Sequence, residues 1–303
     1  MPICLQDDAV HAPKMFGNVE TWYFDAIFDN GYSMACVVNV MRFLRTGLVL
    51  SGVFLYKDTN LIKWVRARTL LNHFQGSQER PQIILRGKTV IDTEPSQNPK
   101  KWTYHVALGD AQDKVDLHLT KNREGWRGTH VIGDWLVAPR LDVKGTLTIE
   151  GTTVNVIGSG YHDHNNYPLF SPFIAKEANF GKINAGSITA VWAQVIRKNN
   201  QVDNMLVIDT SDALLSIPSQ DIHMQVEESI RDRGKHVTKK YRLQVDTRGV
   251  FIDVAIESLN YHYLTIPSVK YWRHHAKSTG RITVGSYSEN VEDVDIIDQL
   301  AFL

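Results

Sequence analysis

The chain has 303 residues, with 33 basic and 33 acidic side chains, 43% hydrophobic and 22% charged residues. This is the composition of a globular chain rather than a disordered one, and a formal net charge of zero argues against a general nucleic-acid binder, which would need a basic face. The two cysteines, Cys4 and Cys36, exclude a disulfide framework and point to a reducing, cytoplasmic setting.

The N-terminus carries Asp7 and Asp8 where a signal peptide would be basic and then apolar. No apolar run reaches the ~18–20 residues of a membrane-spanning helix, so no transmembrane segment is expected. A lipophilic partner would have to be met in a pocket. Residues 1–19 read as an irregular lead-in broken at Pro13 and Gly17. Glu20–Phe28 reads as an aromatic strand, Asp29-Asn30-Gly31 as a hairpin turn and Tyr32–Arg42 as the return strand. Gly47–Lys57 and Leu61–Leu70 form a second pair about Asp58-Thr59-Asn60. Residues 72–81 read as a loop. Short strands follow at Gln82–Arg86 and Thr89–Asp92, and residues 93–101, with Pro95 and Pro99, read as irregular. Trp102–Leu108 and Lys114–Thr120 alternate, Arg123–Gly128 is a turn, and residues 130–137 form a strand.

Residues 146–156 are a hairpin turning at Gly151, with Leu147, Ile149, Val154 and Val156 alternating. The second arm runs through Gly158 and Gly160 into Tyr161-His162-Asp163-His164-Asn165. A domain boundary is expected near residue 168, giving domains 1–168 and 169–303. Residues 175–186 read as turns. Strands are expected near 187–198, 204–210, 221–228, 239–247, 250–257, 261–266, 269–275 and 280–285, and the tail Glu292–Leu303 reads as a helix. Many short strands with few helices predict an all-β fold of antiparallel barrels. An eight-stranded barrel has room for one small ligand, and two barrels account for the length.

The polar run 161–165 is the strongest candidate for chemistry. On an extended backbone Tyr161, Asp163 and Asn165 share one face, and His162 and His164 the other. An Asp facing an apolar cavity is desolvated, its pKa rises, and it can act as a general acid; a neighbouring Tyr can share or orient the proton. The competing reading is structural, with Asp163 capping a turn and both histidines bonded to backbone. His162 and His164 could offer metal ligands, with His118, His130, His274 or His275 as a third. The spacing selects none, no metal motif is present, and no metal is assigned. Trp22, Tyr23, Phe24 and Asp25 read either as core or, with Trp135, as an aromatic wall that would suit a cationic intermediate. Tyr261 and Tyr263, near Tyr271–His275, read as an aromatic hairpin or a lid. No phosphate loop, dinucleotide fingerprint, nucleophile elbow or reactive-cysteine signature is visible.

Two segments carry a resemblance. Glu20-Thr21-Trp22-Tyr23-Phe24-Asp25 resembles the Glu-Trp-Trp-Tyr-Phe-Asp segment of the AttH-like and carotenoid 1,2-hydratase-like superfamily. Gly158-Ser159-Gly160-Tyr161-His162-Asp163-His164-Asn165 resembles its Gly-x-Gly-Tyr-x-Asp-His-Asn-Trp-Gly signature. Thr21 departs from the first pattern, and Asn166-Tyr167 from the end of the second. The resemblance implies two tandem lipocalin-like barrels and a lipophilic isoprenoid or polyketide-like substrate of secondary metabolism. It implies no organic cofactor and hydratase, dehydratase or cyclase chemistry, since the family includes carotenoid hydratases, hydratases of plant-defence compounds and fungal Diels–Alderases. By position it implies catalytic roles for Asp163, Tyr161 and Trp135. The expected substrate-binding set is Trp22, Phe24, His162, His164, Asn165, Tyr261 and Tyr263, with the histidines bracing the site rather than binding metal. The rival expectation is a non-catalytic, lipocalin-like carrier or sensor of a lipophilic ligand.

Overall fold

Alternating apolar and polar side chains become strands along nearly the whole chain in the computed structural model, which describes residues 3–12, 17–44, 46–247, 249–266 and 269–302. Pro13, expected to break the lead-in, lies outside these residues. The chain divides into two compact units, Met1–Ser171 and Pro172–Leu303.

The first unit opens with a single 3-10 turn, Leu5–Asp8. Its strands are β1 (Asn18–Phe28), β2 (Tyr32–Phe43), β3 (Thr46–Lys57), β4 (Asn60–Leu70), β5 (Phe74–Gly76) and β6 (Ile83–Leu85). These are followed by β7 (Lys88–Pro95), β8 (Trp102–Gly109), β9 (Lys114–Lys121), β10 (Trp126–His130), β11 (Gly133–Ile149) and β12 (Thr152–Pro168). They form one antiparallel sheet in the order β4-β3-β2-β1-β12-β11-β9-β8-β7-β6-β5, with β10 paired to β11. The sheet curls into a nearly closed barrel. Arg86, in the β6–β7 turn, reaches β4 at the far edge, its Nε donating to Thr69 Oγ1 at 3.1 Å and its Nη2 to the Arg68 carbonyl at 3.0 Å.

The inner face of this barrel is filled by large side chains, among them Trp22, Phe24, Trp102, Tyr104, Leu117 and Leu141. Burying an aliphatic or aromatic side chain of this kind stabilises the fold by roughly 1.5–3 kcal/mol. Ile3 and Val10 of the lead-in join the same core, so the N-terminal segment is packed into the barrel rather than loose.

The second unit comprises β13 (Ala175–Ala185), β14 (Ile188–Arg197), β15 (Val202–Asp209), β16 (Leu214–Ile217), β17 (His223–Asp232), β18 (Lys235–Thr247), β19 (Val250–Ile266), β20 (Val269–Val284) and β21 (Tyr287–Phe302). Its antiparallel sheet runs β16-β15-β14-β13-β21-β20-β19-β18-β17, over a core that includes Ile183, Trp192, Leu243, Ile252 and Ile282.

The structure corrects several sequence expectations. The tail is not a helix but strand β21, paired along its length with β20 and, at its end, with β13. Ile296, Ile297, Leu300 and Phe302 have helical spacing, yet from residue 297 the buried positions are Ile297, Gln299 and Ala301, a period of two. Pairing with two neighbouring strands overrides a short local helical preference. Residues 175–186 hold strand β13 rather than turns. The expected breaks within 250–266 and 269–284 do not occur. A register shift between Ser258 and Asn260 absorbs the irregularity inside β19, while β20 runs unbroken through Gly280. Strand β7 extends through Pro95, into the stretch expected to be irregular.

Candidate active site

β12 lies between β1 and β11, and that placement builds the site. Against β1 the register sets Tyr161 opposite Asp25, His162 opposite Phe24, Asp163 opposite Tyr23 and His164 opposite Trp22. Against β11 it sets Asp163 opposite Val137 and Asn165 opposite Trp135. The glycines at 158 and 160 permit this closeness. A Cβ on Gly158 would lie 2.1 Å from the Ile27 carbonyl oxygen, and one on Gly160 would lie 2.7 Å from that of Asp25. The register between β11 and β12 shifts between Ala138 and Leu141, leaving a bulge at Pro139-Arg140 beside Tyr161. Proline is tolerated in a sheet at such a bulge, and bulges bend strands next to sites.

The alternation read from sequence holds. One face carries Tyr161, Asp163, Asn165 and Trp135, all buried. Tyr161 Oη donates to Asp163 Oδ2 at 3.0 Å, and Asn165 Nδ2 donates to Asp163 Oδ1 at 2.7 Å. Burial pushes the Asp163 carboxyl up to about 7, against the nearby His162 and the hydrogen bonds from Tyr161 and Trp135; the charge of Asp25 adds to the rise. Burial also pushes the Tyr161 hydroxyl well above its ordinary range, so it stays a neutral donor.

The other face points into the barrel core and is a charge network. The ring of His162 stacks on Phe24 at 4.1 Å, its Nδ1 bonds to the Tyr23 carbonyl at 2.8 Å, and its Nε2 lies 3.0 Å from Asp8 Oδ1. His164 stacks on Trp22 at 4.3 Å, with Nδ1 3.1 Å from Asp8 Oδ1 and Nε2 3.1 Å from Glu20 Oε1. Burial alone would lower the His164 pKa, but the two carboxylates raise it to about 9, so the ring is an imidazolium near neutrality. Burial alone would likewise raise Asp8 and Glu20. His162 and His164 around Asp8, and His11, His164 and Arg42 around Glu20, hold both well below the usual carboxylate range. Tyr104 Oη donates to Asp8 Oδ2 at 2.6 Å and Trp22 Nε1 to the Asp8 carbonyl at 3.1 Å, which fastens the lead-in to the barrel.

His11, Glu20 and His164 each bring one ligand atom within 4.8 Å of the others. Two histidines and a carboxylate are metal ligands by type. Here the second oxygen of Glu20 is held by Arg42 Nη1 at 2.6 Å, and both ring nitrogens of His164 already face carboxylates. The cluster is therefore neutralised from within the chain. Among the described residues, His162 is not part of it.

The expected site residues thus fall into three groups. Asp163, Tyr161, Asn165 and Trp135 come together. Trp22, Phe24, His162 and His164 line the opposite, inward face. Tyr261 and Tyr263 lie in the second unit on β19, packed against Val237, Trp272 and Ala301, with Tyr261 5.5 Å from His274 and Tyr263 5.6 Å from Trp272. The sequence reading missed Asp8, whose partners are 96 and 154 residues away and whose spacing carries no signal. It also passed over Glu20, although a carboxylate beside Trp22 in an aromatic strand pointed to a buried partner.

No family model and no curated protein matches the chain by sequence. Solved structures do match in fold. The AttH protein (NE1406) of Nitrosomonas europaea has a TM-score of 0.71 at 12% identity, covering 97% of this chain and 98% of that one. Kievitone hydratase from Nectria haematococca has a TM-score of 0.66 at 12% identity, covering 99% and 92%. CghA, solved with Sch210972, has a TM-score of 0.67 at 12% identity, covering 98% and 94%. The chain shares the fold of these structures, which is the fold that the resemblance of the two sequence motifs implies.

Proposed function

We propose that this protein is a cofactor-independent enzyme that uses Asp163 as a buried general acid on a lipophilic isoprenoid or polyketide-like molecule, driving hydration, dehydration or cyclisation. The observation that carries the reading is the buried Asp163 carboxyl, gripped by Tyr161 and Asn165 on the face that also presents Trp135. Ordinary folding does not need an Asp there. Removing such a group from water without full ionic compensation costs energy that a structural role does not return.

A carboxyl protonated below pH ~7 can give its proton to an alkene carbon or a leaving hydroxyl. Tyr161 orients that proton. Trp135 offers a π face to the cation that forms. Water addition, proton loss or ring closure then completes the reaction. Hydration is the reaction in the name of one fold relative, which adds to this reading by analogy only. We further take the two curled sheets as tandem lipocalin-like barrels, residues 1–168 and 169–303. A carrier of this architecture would hold its ligand inside a barrel. The interior of the first is occupied by Trp22, Phe24, Trp102 and Tyr104, which speaks against a ligand held there.

The test is incubation of the purified chain with a panel of alkene-bearing lipophiles, beginning with kievitone, in oxygen-18 water. The expected result is an enzyme-dependent product, with labelled oxygen if hydration is the outcome. A compound that binds tightly but returns chemically unchanged supports the carrier instead.

A further inference from the structure

The Tyr-x-Asp pattern occurs twice on the same face. Tyr23-x-Asp25 on β1 repeats Tyr161-x-Asp163 on β12, and the antiparallel register sets Tyr23 opposite Asp163 and Asp25 opposite Tyr161. Each tyrosine donates to its own aspartate, Tyr23 Oη to Asp25 Oδ2 at 3.1 Å and Tyr161 Oη to Asp163 Oδ2 at 3.0 Å. The two rings lie 6.3 Å apart, tilted by 60°. Asp25 is 2% exposed and Asp163 8%. The four side chains therefore occupy the corners of one square, buried at Asp25, Tyr161 and Asp163 and half-buried at Tyr23, with the carboxyls on one diagonal and the tyrosines on the other. Diagonal neighbours on antiparallel strands have centres about 7–8 Å apart, within reach of one another's longer side chains.

Two carboxyls on one buried face repel, and burying each costs several kcal/mol (roughly, for an ion taken from water). The charge of Asp25 does reach its neighbours, since it contributes to the raised pKa values of both Asp163 and Tyr161. A reaction that must both give and take a proton would use this arrangement.

We infer that Asp25 is the base of the reaction, working across the square from the acid Asp163. The inference rests on the acid reading of Asp163 given above. For hydration the steps balance as follows. The Asp163 carboxyl gives its proton to one alkene carbon; the π pair becomes the new C–H bond and leaves a cation on the adjacent carbon. Water oxygen attacks that carbon, and the Asp25 carboxylate takes the proton the water sheds. Tyr161, bonded to Asp163 and facing Asp25, then passes its own proton to Asp163 as it accepts the one on Asp25. One alkene and one water are consumed, one alcohol is formed, and the protein returns to its starting state. Dehydration runs the same steps in reverse. Tyr23 is a positioning residue, holding Asp25 toward the square.

The first arm of the test needs no substrate. The chain carrying carbon-13 at its aspartate carboxyls is titrated by NMR as wild type, Asp25→Asn, Asp163→Asn and Tyr23→Phe. A coupled pair titrates as a unit, so Asp25→Asn is expected to shift the Asp163 step downward, and Asp163→Asn to shift the Asp25 step the same way. Should Asp25→Asn fail to fold, Tyr23→Phe decides. Losing the Tyr23 hydroxyl should raise the Asp25 step and lower that of Asp163. An Asp163 step that does not move in either variant overturns the pairing. An Asp163 that does not titrate near neutrality in the wild type overturns the acid reading instead. On any alkene the wild type hydrates, Asp25→Asn should still exchange solvent deuterium into the alkene while losing water addition. Loss in Asp163→Asn with a wild-type rate in Asp25→Asn would keep the acid and remove the base.

Discussion

At the scale of single residues, the account turns on one carboxyl that the fold holds against its preference. Asp163 has a folded pKa of about 7 because burial outweighs the groups that favour its charge. An unfolded Asp titrates near ~4. Between those values the folded chain binds the proton and the unfolded chain has lost it, so this group makes stability fall as pH rises from about 4 to about 7. Above that window the chain carries the full penalty. Asp163→Asn is isosteric and keeps one acceptor oxygen, for Asn165 Nδ2, while the Tyr161 hydroxyl can turn to accept from the new amide NH2. We expect it to raise the thermal midpoint at pH ~8 while changing it little at pH ~4, read by melting curves at the two pH values. A midpoint lowered equally at both would mean that Asp163 braces the barrel as an anion.

At the scale of elements, the site exists because β12 runs very close to β1. Gly158 makes that possible, since an added methyl would meet the Ile27 carbonyl oxygen at 2.1 Å and Phe28 Cα at 2.8 Å, both backbone atoms that cannot turn aside. Gly158→Ala is therefore expected to cost about 1–3 kcal/mol, the usual range for overpacking, and to loosen the β1–β12 pair. Denaturant unfolding gives the first quantity and amide exchange along β12 the second. The hairpin leading to the site, its turn at Gly151 and the two-face split of residues 161–165 were legible in the sequence because each rests on a local period or a turn residue. Glu150 and Gly151 take positive φ values of 50° and 77°, as a tight hairpin turn requires. The tail was misread for the complementary reason: its apolar residues satisfy a helical spacing, and only the edges offered by β20 and β13 decide for a strand.

At the scale of the whole molecule, the lead-in is tied to the barrel by charge as well as by apolar burial. His164 sits between Asp8 and Glu20, and its pKa is raised to about 9. A histidine raised in the folded state contributes stability that is fully present below its unfolded value of ~6.5 and is lost as pH climbs through about 9. We expect thermal stability to decline across that alkaline window, and His164→Gln, though less stable overall, to show a flatter slope there. Melting curves at intervals between these limits measure it, and equal slopes in both proteins would remove His164 as the cause. None of this network was readable from spacing, because Asp8, Glu20 and His164 meet only after β1 and β12 pair. The all-β class, by contrast, was readable from alternation alone. The sorting of aromatic residues was only half readable: Trp22 and Trp135 were grouped as one wall, and the pairing register puts them on opposite faces of the sheet.

The measurement that bears most directly on the central claim is turnover by Asp163→Asn beside the wild type, on the first alkene the wild type converts. Loss of a general acid should lower the rate by about 10²–10⁴-fold, with substrate binding retained, and the wild-type rate itself should fall as pH rises through about 7. A variant that turns over at the wild-type rate, with the same pH profile, would contradict it.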